Sequence, residues 1–284
     1  MRFLLLFLFA GGAIAGDWLT VGGDPSHSGW QRHGHRVTLQ TAREMKLLWK
    51  QRVAPGPLTS PLILGPTITH RGVRELIFVA AVDTLYAIDA DFGKIFWTRH
   101  LPGPPARCRM AMPWIEPDAD EDYSEPIADD DDNDDEPDQM RPLHVIASDG
   151  REYTVRASDG GDVKPPVAGK AGEDCGPHEV ARRPATWVDG AGVRRTYTPT
   201  ATALVGPNWT REFPQPGPPA VSHGIVYVFA GKRLHLLDTS TGKPLWVSNE
   251  EIPDADPELA VANGHVVLNG RDGTVYCFGI PIER

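Results

Sequence analysis

The sequence predicts an all-β fold, a β-propeller of about five to seven four-stranded antiparallel blades, and three observations predict it. A strand–turn–strand unit recurs along the chain. The composition, with 29 Gly, 27 Pro and 40% hydrophobic residues, is that of many short elements cut by turns. A strand ending in no turn of its own stands near the start, while the last unit lacks the strand that would complete it.

The recurrence is clearest between two copies. Ala87-Ile88-Asp89-Ala90-Asp91-Phe92-Gly93-Lys94-Ile95-Phe96-Trp97 and Leu236-Leu237-Asp238-Thr239-Ser240-Thr241-Gly242-Lys243-Pro244-Leu245-Trp246 place Asp, Gly-Lys and Trp at identical offsets. An apolar run precedes each, Leu76 to Val82 and Ile225 to Ala230. The run reads as a strand. Asp89 and Asp238 can bond nearby amides, and Gly93 and Gly242 can take a positive φ, so the chain reverses there. The strand after each Gly-Lys returns and offers Trp97 or Trp246 for packing. A third copy, Val155-Arg156-Ala157-Ser158-Asp159-Gly160-Gly161, keeps the turn without the Lys and Trp. One such unit cannot bury its apolar face alone, and radial stacking of copies does so.

Taken in order, the chain opens on a leader. Arg2, the apolar run Phe3 to Phe9 and Ala13-Ile14-Ala15 outline a cleavable signal peptide over residues 1–16. Its apolar stretch is shorter than the roughly 20 residues that span a bilayer. The protein is therefore expected to be exported to the periplasm or secreted, and not to span a membrane. Residues 17–284 then form one propeller domain. Met45 to Val53, with Trp49, is the orphan return strand, expected to close the last blade and remove two open sheet edges. The units run from about Leu58 to Leu101, Arg141 to Pro166, Ala185 to Phe213, Pro219 to Asn249 and Leu259 to Ile280. Between the first two, Glu116 to Asp138 holds Asp129-Asp130-Asp131-Asp132-Asn133-Asp134-Asp135-Glu136. Such a block repels itself and is expected to be a disordered acidic insertion.

Asp17-Trp18-Leu19-Thr20-Val21-Gly22-Gly23-Asp24 resembles the start of mature quinoprotein-type propellers. Leu85 through Trp97, and the copy ending at Trp246, are similar to the blade motif of the pyrroloquinoline-quinone (PQQ) repeat family. The resemblance implies that Trp97 and Trp246 dock against the neighbouring blade, and Trp49 is expected to share that role. It also raises PQQ with Ca²⁺ as a cofactor. In the dehydrogenases of that family a vicinal Cys-Cys disulfide, a stacked Trp and an acidic base form the site. This chain has no adjacent cysteine pair, and no acidic residue falls in a matching motif, so no catalytic, cofactor or metal residue carries over.

Other chemistry finds little footing. The net charge of −10 argues against nucleic acid as partner. The acidic run lacks the Gly of a cation-binding loop. Arg32-His33-Gly34-His35-Arg36 offers two His without a further ligand. Ser26, Ser28 and Ser60 sit in no nucleophile elbow, and Asn208-Trp209-Thr210 is a glycosylation sequon only in a eukaryotic setting. Cys108 and Cys175 could pair in an oxidising compartment, and Cys277 reads as a small buried residue in a strand. The resulting expectation is an exported, non-catalytic scaffold with an unidentified protein or envelope partner, bound on loops or in a central funnel. The alternative is a PQQ-dependent dehydrogenase oxidising an alcohol or sugar, and a third reading is a Ca²⁺-responsive adhesion protein.

Overall fold

The computed structural model describes residues 16–33, 36–81, 83–102, 105–112, 142–147, 150–168 and 182–281. Twenty strands make five four-stranded antiparallel sheets among these residues. Blade 1 holds β2 (Leu62–Thr69), β3 (Gly72–Ala81), β4 (Thr84–Asp89) and β5 (Ile95–His100). Blade 2 holds β6 (Pro105–Ala111), β7 (Pro142–Ala147), β8 (Arg151–Arg156) and β9 (Asp162–Ala168). Blade 3 is β10 (Ala185–Val188), β11 (Arg194–Pro199), β12 (Ala203–Val205) and β13 (Thr210–Glu212). Blade 4 is β14 (Ala220–Ser222), β15 (Ile225–Ala230), β16 (Arg233–Asp238) and β17 (Pro244–Val247).

Blade 5 is made from both ends of the chain. Strands β18 (Ala260–Ala262), β19 (His265–Asn269) and β20 (Thr274–Gly279) supply three positions, and β1 (Lys46–Arg52) supplies the fourth. Its register runs from Lys46 opposite Gly279 to Arg52 opposite Thr274. The orphan strand thus pairs where the sequence leaves a vacancy.

Blade 2 starts earlier than the repeat suggests. Its first strand, β6, lies before the acidic run, so the insertion divides a blade between its first and second strands instead of separating two blades. The repeat signal misses β6 because Pro105–Ala111 carries neither the Asp-Gly turn nor a Trp. The leader to residue 15, the acidic run, His35 and Cys175 lie outside the described residues. Cys277 is buried as a free thiol, which burial holds well above its ordinary pKa.

The second strands are the most apolar: every residue of β15 and β19 is buried, as are Leu76 to Ala81 of β3. They pack blade against blade. One apolar cluster joins blades 4, 5 and 1, a second joins blades 1 and 2, and a third joins blades 3 and 4. Among the described residues no apolar cluster runs from blade 2 to blade 3.

Candidate functional site: a filled axis and an open loop face

Trp49 and Trp97 bridge blades by a common geometry. Trp49 Nε1 donates to the Ala90 carbonyl at 2.7 Å, linking blade 5 to blade 1. Trp97 Nε1 donates to Ala157 at 2.9 Å, linking blade 1 to blade 2. Each indole lies over a turn glycine: a Cβ on Gly93 would come within 2.4 Å of the Trp49 ring, and one on Gly160 within 2.8 Å of Trp97. Gly93 and Gly242 have φ of +65° and +66°. Asp89 Oδ1 accepts from the Asp91 and Phe92 amides, and Asp238 Oδ1 from those of Ser240 and Thr241. Trp246 sets its ring edge-on to Phe278 of blade 5, with centroids 6.0 Å apart.

Sequence reasoning passed over Trp209. It leaves blade 3 and donates to the Thr239 carbonyl of blade 4 at 2.9 Å, with its ring over Gly242. Its turn is a two-residue hairpin closed from Gly206 to Trp209, so the Asp-Gly-Lys spacing that marks the other copies is absent. Blade 2 has no equivalent at this register position among the described residues. Thr154 pairs with Lys164 at the register position where Ala87 pairs with Trp97 and Leu236 with Trp246. Arg156 also stands in place of the turn Asp, and Asp159 compensates by accepting from Arg156 Nε and the Gly161 amide at 2.9 Å each.

The expected central funnel is filled. Residues 16–33 form a loop that bonds at or beside the first strand of every blade. Trp18 exchanges two backbone hydrogen bonds with Ile63 of β2, and Leu19 accepts from Met112, which follows β6. Ser28 accepts from Thr186 of β10, and Gly29 and Gln31 bracket Val221 of β14. Gln31 Nε2 donates to Val261 of β18 at 2.9 Å. Gly22 and Gly23, at φ +80° and +92°, turn the loop, and a side chain on Gly23 would strike the Trp18 ring. Asp24 is buried beneath the tip. Burial alone would raise its pKa, but the Ser28 hydroxyl and amide, the Ser26 hydroxyl and Arg32 hold it below the usual value.

The gaps beside this plug, one toward each end, are each only about 10 Å³, room for about one water. Over the tip, Arg183 makes a two-pronged contact with Glu258 at 2.5 and 2.6 Å. Burial pushes the Glu258 carboxyl up to about 7 against the pull of Arg183.

A second space lies on the face that carries the β15–β16 and β19–β20 turns and the connections between blades. It is a cavity of about 700 Å³ between blades 4 and 5, open to solvent. Pro214, Gln215, Pro216 and Gly217 form one wall, Pro253 to Ala255 and Pro257 another, and Phe229 borders it. Arg182, Lys232 and Arg271 line it with a single carboxylate, Asp254. Gly217 locks the two walls, since a Cβ there would lie 2.4 Å from Pro257. Gln215 is held at φ +46°, a left-handed backbone that costs a non-glycine residue on the order of 1 kcal/mol.

A PQQ-type site does not fit either space. The two gaps beside the plug are too small for it, and among the described residues no Trp or Cys lines the larger cavity. No group of three or more His, Cys, Asp or Glu converges as a metal site among the described residues. No helix among them is long and apolar enough to cross a membrane.

Residues 199–280 match a PQQ-like repeat family profile described as "Outer membrane protein assembly factor BamB". No curated protein matches the sequence. Three solved structures overlap the fold. The quinohemoprotein alcohol dehydrogenase of Comamonas testosteroni is 16% identical with a TM-score of 0.34, over 85% of this chain and 28% of its own. BamB of Moraxella catarrhalis is 13% identical with a TM-score of 0.33, over 84% of this chain and 99% of its own. A europium-containing methanol dehydrogenase is 14% identical with a TM-score of 0.32, over 82% and 31%. The chain therefore spans less than a third of either dehydrogenase. None of the three supports a statement about activity.

Proposed function

From a chain of PQQ-like propeller repeats, we propose an exported, non-catalytic scaffold that binds a protein partner of the cell envelope on its loop face. The observation that carries this reading is the filled axis. The loop of residues 16–33 takes up the space at the centre of the blades and bonds, through its backbone and the Gln31 side chain, at or beside the first strand of each blade. The loop face beside it carries an open cavity, and loops on a rigid frame commonly carry recognition. The likeness of residues 199–280 to an assembly factor family supports the same class of role.

Two measurements test the proposal. Titration of the purified protein with PQQ, with and without Ca²⁺, is expected to show no saturable heat and no change in quinone absorbance. Saturable binding together with alcohol or sugar oxidation, read with an artificial electron acceptor, would replace the scaffold with the dehydrogenase alternative. A photocrosslinker at Gln215 is expected to trap one discrete envelope protein in cells, and one at Lys50, on the outer strand of blade 5, is not. Equal and diffuse labelling from both positions would count against a dedicated loop face.

A further inference from the structure

We propose that the cavity between blades 4 and 5 docks an extended acidic peptide segment of the partner. The inference rests on the scaffold reading and names its surface. The cavity's volume, about 700 Å³, falls in the range of formed ligand sites, which is on the order of 300–1,000 Å³. Its shape is set in advance by close contact of its walls at Gly217 and Pro257 and by the left-handed backbone of Gln215. The prolines of its walls add rigidity and have no amide donors, which leaves the charged side chains as the main recognition groups.

Those side chains are mainly basic. Among the described lining residues Arg182, Lys232 and Arg271 stand against one carboxylate, Asp254, with Glu251 close enough to feel Lys232, in a chain whose net charge is −10. Lys232 and Arg271 sit on two different hairpin turns and Arg182 on the connection into blade 3. Such a spread suits several carboxylates along an extended chain better than one compact anion. Arg233 adds no free charge, because it is paired with Glu251 at 2.8 Å. Glu251 is thereby held below its ordinary pKa, chiefly by that hydrogen bond. Arginine forks match carboxylates in two-pronged geometry, and the apolar proline surface can receive the backbone between them. The overall negative charge disfavours nucleic acid, which would meet repulsion everywhere outside this patch.

The test is fluorescence anisotropy of a fluorescein-labelled octaglutamate with the purified protein. Saturable binding is expected, weakening as salt rises. Lys232→Glu/Arg271→Glu should bind about tenfold more weakly or worse, with an unchanged thermal midpoint showing that the exposed turns still fold. Lys46→Glu/Lys50→Glu, an equal change of net charge on the outer strand of blade 5, should bind like the parent.

Three results would overturn the proposal. They are no saturable binding to the parent, an equal loss in both variants, and equal competition by single-stranded DNA of matching charge. Trapping of a discrete partner at Gln215 alongside failure of octaglutamate would reject the acidic segment while leaving the scaffold standing.

Discussion

At the residue scale, the turn glycines do two things at once. Gly93 and Gly242 occupy left-handed backbone, and each lies under a neighbouring indole at a distance no Cβ can share. Gly192 is equally left-handed, at φ +77°, but faces open space. Gly93→Ala and Gly242→Ala should therefore each cost about 2–4 kcal/mol in urea unfolding, the sum of backbone strain and overpacking. Gly192→Ala should cost only about 1 kcal/mol.

Glu258 sets a pH dependence at the same scale. Its pKa is raised from 4.5 to about 7 by burial. Between those values the native state keeps a proton that the unfolded chain has released, so stability falls as pH rises through this window. Arg183 limits the loss, because the ionised carboxylate is the form that it grips with both nitrogen–oxygen contacts. Unfolding should be harder at pH 5 than at pH 8 by on the order of 1–3 kcal/mol, and Glu258→Gln should flatten that difference. Asp24 acts oppositely and elsewhere: its depressed pKa lends stability above about pH 4 that is lost only in stronger acid.

At the element scale, each blade is a short sheet whose stability depends on what it leans against. Trp49, Trp97 and Trp209 each tie a strand to the turn of the next blade through one indole hydrogen bond and a face packed on glycine. Trp209→Ala should cost about 3 kcal/mol, comparable with Trp97→Ala, when both are measured by denaturant unfolding. A negligible cost for Trp209 would mean that blade 3 is held mainly by its apolar cluster with blade 4. At the junction from blade 2 to blade 3, Lys164 stands at the tryptophan position, and among the described residues this tie is lacking. Native-state hydrogen exchange should show blade 2 opening at lower free energy than blades 4 and 5. Uniform protection across the blades would refute it.

At the scale of the whole molecule, two segments near the start of the chain complete structures made mostly elsewhere. Strand β1 finishes the last blade, and the loop before it bonds at or beside the first strand of all five blades. Deleting residues 16–33 should lower the thermal midpoint sharply or abolish cooperative unfolding, because Trp18 and Leu19 belong to two separate apolar clusters. A deletion variant that melts like the parent would show the plug to be an accessory. It would then reopen the axis as a ligand site.

What the sequence by itself determined is local and periodic. The Asp-Gly-Lys-Trp spacing made blades 1 and 4 legible, and the unpaired return strand at Met45 to Val53 made closure legible, because both are written in contiguous residues. Strand β6 and Trp209 escaped because each had lost the spacing while keeping its place in space. Only the tertiary structure decided that residues 16–33 occupy the axis, since that depends on bonds to five strands dispersed from Ile63 to Val261. The loop-face cavity was illegible for the same reason. Its cations sit at Arg182, Lys232 and Arg271, far apart in the chain and in no motif, and the folding of five separate loops onto one face is what brings them together.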